Sequence, residues 1–195
     1  LAADYVAKTF GENAIMWILP ADHHIARESA LATSFQHALQ AAKDGRLVTF
    51  GITPTRADTG YGYIRAGQAD ASGLAYAVDS FVEKPDLATA ETYLADSAYL
   101  WNSGMFVFAA KAVLEQYKMH ASAILSDVRS SVEQSSHRPD ARTYNAIEST
   151  PFDKSIMERA ANVAVIPCNP QWSDIGSWES LWEISDKDSN GNVLE

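Results

Sequence analysis

Cysteine is almost absent from this chain: Cys168 is the only one among its 195 residues. No disulfide can therefore form within the chain, which is typical of a reducing compartment, and we expect a cytoplasmic protein. Long apolar runs are absent as well. The longest are about the length of a strand, far short of the roughly 20 residues that cross a bilayer, so the sequence predicts no membrane partner.

Basic residues are scarce. The chain has 15 Lys and Arg against 25 Asp and Glu, which gives a net charge of −10, and no local basic cluster offsets this balance. A protein that binds the nucleic-acid backbone needs the opposite charge, so a nucleic-acid partner is disfavoured. A small phosphorylated substrate stays open, because a bound metal ion or a few basic groups can invert the field at a site.

Several catalytic signatures are missing too. There is no nucleophile-elbow pattern and no activated-cysteine context, which disfavours a nucleophilic hydrolase. His23 and His24 have no further His or Cys at ligand spacing, so a zinc site is disfavoured. The chain also lacks a glycine-rich loop followed by Lys or Arg, the usual cradle for phosphates. If the protein uses a nucleoside triphosphate, the residues that hold the triphosphate are not among the 195 residues of this sequence.

Apolar segments and helical patterns, by contrast, alternate along the chain. Residues 14–19 and 47–52 are typical of buried strands, and residues 25–43 between them are typical of a helix that ends before Gly45. Largely unalternated strands interleaved with helices predict an α/β fold, in which helices cover both faces of a mixed, mostly parallel sheet. Ligands bind beyond the carboxyl ends of strands in such sheets, and Asp22 falls at one of these ends.

The remaining elements follow from the same patterns. Residues 61–65 and 74–82 are typical of two antiparallel strands with a turn at Gly73. The other predicted elements are strands at 104–109 and 163–167, a loop at 135–139, and helices at 87–94, at 111–132 with a break near His120, at 155–161 and from residue 178 to 184.

One aspartate, Asp174, stands between two tryptophans and beside Gly176 in residues 172–178. This combination is costly to keep for packing alone. Asp22 follows Pro20 at the end of a predicted strand. Two aspartates delivered from separate elements are the ligands that a hard divalent cation with phosphate partners needs, so the pair is a candidate Mg²⁺ site. The N-cap of the helix that begins near Ile25 would explain Asp22 equally well.

Two further motifs carry groups that could hold a sugar phosphate. Glu83 could accept hydrogen bonds from adjacent sugar hydroxyls, and Lys84 could neutralise a phosphate. Taken alone, a solvated ion pair would explain these two residues more simply. Asn102, which stands just before Gly104 and an apolar strand, could bond a sugar hydroxyl or only cap its own turn.

Taken together and in this order, the motifs resemble the sugar-nucleotide pyrophosphorylases, and most of all the mannose-1-phosphate guanylyltransferases among them. The ordered set is far more specific than any one motif and spans nearly the whole chain: residues 19–23, 47–52, 59–64, 81–85, 101–106 and 172–178. The resemblance implies a Rossmann-like nucleotidyltransferase fold. It also implies a transfer of GMP from GTP to mannose 1-phosphate, which gives GDP-mannose and pyrophosphate.

The same resemblance assigns expected roles to single residues. Asp22 and Asp174 would hold Mg²⁺ near the reacting phosphorus, and Lys84 would neutralise the sugar phosphate, so these are the expected catalytic residues. The expected substrate-binding residues are those of the sugar pocket and its phosphate contact, Tyr61, Gly62, Glu83, Lys84 and Asn102. A homodimer is expected as well.

Members of this family begin with a strand, a glycine-rich loop and basic residues that hold the triphosphate. The resemblance therefore implies that residues 1–185 are the C-terminal two-thirds of a catalytic domain that is incomplete at its N-terminus, with a sugar-side lobe at about 53–106. Residues 186–195 would begin a linker toward a further domain. Two alternatives stay open: a pyrophosphorylase for another hexose 1-phosphate such as glucose, and a non-catalytic homologue that binds sugar nucleotides and regulates a partner.

Overall fold

The computed structural model of the chain describes residues 1–132 and 138–193, so most of the loop predicted at 135–139 lies outside the described residues. The α-helices are α1 (Ala2–Phe10), α2 (Glu28–Lys43), α3 (Leu87–Leu94), α4 (Ala110–His120), α5 (Ser122–Ser131), α6 (Ala141–Asn145) and α7 (Trp178–Ile184). The strands are β1 (Ile15–Ile18), β2 (His24–Ile25), β3 (Leu47–Ile52), β4 (Gly62–Ala69), β5 (Tyr76–Glu83), β6 (Tyr99–Ala109), β7 (Val163–Pro167) and β8 (Trp172–Ser173). A π-helical turn spans Asp153–Met157.

The main sheet has the order β1-β6-β3-β7-β5-β4, and β6 also pairs with β4. The β3 and β7 strands are parallel neighbours, whereas the other ladders of this sheet are antiparallel. These pairings give β1, β3, β4 and β7 one direction, and β5 and β6 the opposite one. The α/β class and the mixed sheet are therefore confirmed. Four of these six strands run in the same direction, as expected for the predicted mostly parallel sheet.

Hydrogen-bonded neighbours, however, are mostly antiparallel, which differs from the predicted parallel pairing. The cause is β6, an 11-residue strand that lies between β1 and β3 and runs against both. A strand that is buried on both faces shows the same continuous apolar pattern whichever way it runs. The sequence therefore carries no signal for its direction.

Helices cover both faces of the sheet, as predicted. On one face, α2 packs its small residues Ala38 and Ala42 against Val48, Phe50 and other apolar side chains of the sheet. On the other face, α1, α4 and the π-helical turn close a second cluster. Every residue of β3 is buried, which places this strand at the centre between the two layers.

Helix boundaries differ from the prediction where the chain forms tertiary contacts. The helix predicted from residue 25 begins at Glu28, because Ile25 belongs to β2 and pairs with Trp172. Its N-cap is Arg27, so Asp22 does not cap this helix. The helix predicted at 155–161 is instead the π-helical turn, which buries Ile156 and Met157. Among the described residues, no helix has the length and apolar character needed to span a membrane.

Candidate active site

A short ribbon outside the main sheet brings the two predicted metal ligands together. β2 and β8 pair antiparallel, with His24 opposite Ser173. Continued by one residue, this register sets His23 opposite Asp174, with Asp22 next along the chain. Opposed residues of an antiparallel pair have Cβ atoms about 4.5–5.5 Å apart. The backbone therefore brings Asp22 and Asp174 to neighbouring positions.

The surroundings of His23 agree with this placement. Burial lowers the pKa of His23, and the nearby carboxylates of Asp22 and Asp174 oppose the shift. The indole N–H of Trp172 donates to Nδ1 of His23 at 3.0 Å, so that nitrogen carries no proton. Because Nδ1 accepts this hydrogen bond and burial lowers the pKa, His23 is neutral and links the two strands of the ribbon.

Asp174 has one oxygen engaged and one open. Its Oδ1 accepts hydrogen bonds from the Tyr61 hydroxyl at 2.8 Å and from the Gly176 N–H at 3.0 Å. A Cβ at residue 176 would lie 2.7 Å from Oδ2, so glycine leaves this oxygen its space. Asp22 is exposed, and its carboxylate forms no hydrogen bond or ion pair with the other described residues.

These two carboxylates are suitable ligands for a divalent metal ion. Within residues 1–132 and 138–193, no cluster of three or more His, Cys, Asp and Glu side chains could hold a metal ion by itself. Mg²⁺ usually takes one or two protein carboxylates and completes its octahedron with waters and substrate phosphates. The open oxygens of Asp22 and Asp174 match that donor set. The described residues form no closed cage of protein ligands.

Tyr61 connects the metal side of the site to an aromatic cluster. Its ring makes edge contacts with Trp101 and Trp172, at centroid distances of 4.9 and 5.3 Å. The guanidinium of Arg56 lies 5.8 Å from the Tyr61 ring centroid and 5.4 Å from that of Trp101. Burial and the hydrogen bond to Asp174 raise the pKa of the Tyr61 hydroxyl. The hydroxyl thus stays protonated and orients Asp174, and the expected contact of Tyr61 with a sugar stays a prediction.

The predicted sugar-binding residues meet around Gly62. Gly62 is opposite Glu83 in the β4–β5 pair. A Cβ on Gly62 would collide with the Glu83 carboxylate and lie 3.4 Å from Cβ of Asn102. Glycine at this position therefore makes room for the Glu83 carboxylate and lets it approach Asn102. Burial raises the pKa of Glu83, and the negative charge of Asp153 adds to the shift.

Lys84 follows Glu83 directly and has a strained backbone conformation. Its φ is 53°, in the left-handed region that costs a non-glycine residue on the order of 1 kcal/mol or more. Its N–H donates to the Tyr61 carbonyl at 3.2 Å, which ties the strained residue to the start of β4. The side chain is exposed and forms no direct salt bridge with the described residues, but its positive charge lowers the pKa of Glu83 and of Asp153 and so opposes the effect of their burial.

Asn102 lies inside β6 and not in the turn that the sequence allowed. Its Oδ1 accepts from the Thr49 hydroxyl at 2.8 Å and from the Gly104 N–H at 3.3 Å, and its Nδ2 donates to Asp153 at 2.9 Å. Sequence reasoning missed Asp153, because an acidic residue next to a short apolar segment is common and carries no signal of its own. Arg56 was missed because a single basic residue in a polar loop carries no signal either.

Comparison with known proteins identifies the family of this chain. A family model described as nucleotidyl transferase matches residues 1–191. The chain belongs to the nucleotidyl transferase family. Enzymes of this family generally use a divalent metal ion, which suits the open oxygens of Asp22 and Asp174.

Two curated members of the nucleotidyl transferase family are named mannose-1-phosphate guanylyltransferase. The protein from Salmonella montevideo is 44% identical to this chain over 197 residues, which cover 96% of the chain and 42% of the relative. The protein from Escherichia coli (strain K12) is 43% identical over 187 residues, 92% of the chain and 39% of the relative. The chain therefore spans about two fifths of the length of these relatives.

A solved structure extends the comparison to three dimensions. A crystal structure described as mannose-1-phosphate geranyltransferase from Thermus thermophilus superposes with a TM-score of 0.80 at 31% identity. The match covers 96% of this chain and 54% of that chain. The nucleotidyl transferase fold that the sequence predicted is thereby confirmed.

Proposed function

We propose that a full-length protein carrying this chain transfers GMP from GTP to mannose 1-phosphate, with Mg²⁺ as cofactor, to form GDP-mannose and pyrophosphate. The choice of substrates is supported by the names of the curated relatives, which are more than 40% identical to the chain. The structural observation that supports the proposal is the β2–β8 register, which pairs His24 with Ser173 close in the chain to Asp22 and Asp174. Metal-assisted transfer needs such a pair of carboxylates beside a sugar-phosphate pocket.

The reaction asks for alignment and charge neutralisation and for little covalent help. A phosphate oxygen of mannose 1-phosphate forms a bond to the α-phosphorus of GTP, while the bond from that phosphorus to the pyrophosphate oxygen breaks. The attacking phosphate is already largely a dianion near neutral pH, so no general base is required. Catalysis of this type depends mainly on positioning and electrostatics.

The residues of the chain divide these tasks between them. Asp22 and Asp174 would hold Mg²⁺, which supplies charge stabilisation at the phosphates when bound. Tyr61 fixes the rotamer of Asp174 through its 2.8 Å hydrogen bond. Lys84, whose ammonium group has no ion-pair partner among the described residues, is available for the sugar phosphate. Glu83 and Asn102 come together at Gly62 and would bind sugar hydroxyls.

Pyrophosphate release tests this proposal directly. We expect the full-length protein to release pyrophosphate fastest with GTP and mannose 1-phosphate, in the presence of Mg²⁺, when each nucleoside triphosphate is tried with mannose and glucose 1-phosphates. A preference for glucose 1-phosphate or for another nucleotide would make the protein a different pyrophosphorylase. Binding of GDP-mannose without any turnover would instead identify a regulatory homologue.

The homodimer and the cytoplasmic location stay predictions. Light scattering of the purified protein would measure its oligomeric state.

A further inference from the structure

A chain of buried polar groups runs behind the sugar pocket. It joins Thr49 of β3, Asn102 of β6 and Asp153 of the π-helical turn, through hydrogen bonds of 2.8 and 2.9 Å. Thr49 is completely buried, and Asn102 is 8% exposed. Buried amides and hydroxyls destabilise a fold unless they are hydrogen-bonded, so the geometry of this chain is tightly constrained.

The hydrogen bonds fix which way the Asn102 amide points. Its oxygen accepts from Thr49 and from the backbone N–H of Gly104, and one of its two N–H groups donates to Asp153. If the amide turned over, its oxygen would face the carboxylate of Asp153 and its NH₂ would face the Gly104 N–H. Both contacts would be repulsive. Among the residues that the structure describes, the second N–H of Asn102 has no hydrogen-bond partner.

The amide lies at the sugar pocket. A Cβ on Gly62 would collide with the Glu83 carboxylate and lie 3.4 Å from Cβ of Asn102, so the glycine lets these two side chains come together at the proposed pocket. The remaining N–H can donate to a hydroxyl here while Glu83 accepts from a neighbouring one. Such paired donors and acceptors are how a protein reads the hydroxyls of a sugar.

The carboxylate of Asp153 accepts the Asn102 N–H from a position where its charge is unfavourable. Burial raises the pKa of Asp153, and the negative charge of Glu158 acts in the same direction. Asp153 in turn raises the pKa of Glu83, so two partly buried carboxylates disfavour each other's charge. A neutral acceptor would satisfy Asn102 at lower cost. Asp153 also begins a π-helical turn, a rare feature that is frequent at functional sites.

We propose that Asp153 is a positioning residue of the sugar pocket, which holds the Asn102 amide so that its remaining N–H meets a hydroxyl of the hexose 1-phosphate. This inference rests on the proposed function, because it states how that site recognises its sugar. Asp153 acts through Asn102 and does not touch the reacting phosphates. Its loss should therefore weaken sugar binding without affecting the nucleotide.

The test uses Asp153→Ala in the full-length protein, with the KM values of both substrates, kcat and the thermal midpoint measured. We expect the KM for mannose 1-phosphate to rise by about tenfold, the worth of one hydrogen bond between an amide and a hydroxyl. The KM for GTP and kcat should change less than about threefold. Asp153→Asn should recover most of the loss, because its amide oxygen can still accept from Asn102. Asp127→Asn, on the exposed face of α5, is the matched control and should change nothing.

A double-mutant cycle separates positioning from general damage. In an Asn102→Ala background, Asp153→Ala should raise the KM for mannose 1-phosphate no further, because the group it positions is gone. Additive effects, or a lower thermal midpoint with an unchanged KM, would overturn the inference. If Asp153→Ala does not fold, Asp153→Glu replaces it, since the longer side chain moves the acceptor away from Asn102. A wild-type protein that makes no GDP-mannose would instead contradict the proposed function.

Discussion

Backbone strain at single residues marks the candidate site. Within the described residues, the non-glycine positions with positive φ are Lys84, Gln171 and Ile175. Lys84 is the proposed phosphate contact, Gln171 precedes Trp172 of the ribbon, and Ile175 follows Asp174. Strain of this kind persists only where the surrounding structure enforces it, and it clusters at functional sites. Three strained residues in one neighbourhood therefore support the site independently of any motif.

At the same scale, we expect Asp174→Asn to abolish most of the activity and leave the fold intact. The amide oxygen can still accept from Tyr61 and Gly176, but the negative charge that would hold Mg²⁺ is lost. Turnover of the full-length protein should fall by about 100-fold or more at saturating Mg²⁺, with the thermal midpoint within about 2 °C of the wild type.

Tyr61→Phe is the comparison for this variant. It removes one hydrogen bond to Asp174 and keeps the carboxylate, so a loss of roughly tenfold is expected. If Asp174→Asn kept wild-type kinetics, Asp174 would have no part in the metal site.

At the scale of strands and helices, local sequence patterns predicted part of the fold. Helices at 87–94 and 178–184, and the break near His120, follow from local patterns of apolar residues and are confirmed. The β2–β8 ribbon was missed. Two residues in each strand are too few for a periodic pattern, and their pairing depends on residues far apart in the chain.

Packing around the central strand β3 leads to a prediction about stability. A Cβ on Gly51 would lie 2.5 Å from Cδ1 of Leu100 and 2.7 Å from Cγ2 of Val165, between two packed strands. We expect Gly51→Ala to destabilise the protein by about 1–3 kcal/mol, because the surrounding core has no room to yield. Thermal unfolding should show this as a fall of about 2–4 °C per kcal/mol.

Gly60→Ala provides the comparison, since its added methyl group would meet only the flexible side chain of Asp58, at 3.1 Å. An equal effect of the two variants would mean that the packing around β3 does not limit stability.

At the scale of the whole molecule, the site collects residues from loops and strand ends along nearly the full chain. Sequence order and family resemblance predicted that Asp22 and Asp174 would meet, and the ribbon brings them to neighbouring positions. Asp153 and Arg56 could not be predicted, because their importance depends on which buried group they face. The side-chain contacts of a site exist only after the sheet is assembled.

The same scale yields a prediction about nucleotide use. The chain has no glycine-rich loop followed by a basic residue to hold a triphosphate. We therefore expect the purified chain of residues 1–195 to form no GDP-mannose from GTP and mannose 1-phosphate. The full-length protein, assayed under the same conditions, is the positive control, and circular dichroism would verify that the shorter chain is folded. Steady product formation by residues 1–195 would refute the expectation.

The β2–β8 ribbon also bears on how the domain folds. His24 and Ser173 are paired in the ribbon but lie far apart in the sequence. Closing so long a loop is slow and entropically unfavourable until the intervening layers are in place. The cation site would then form late in folding. A bound ion would protect the finished domain against unfolding and would do little to guide the chain toward it.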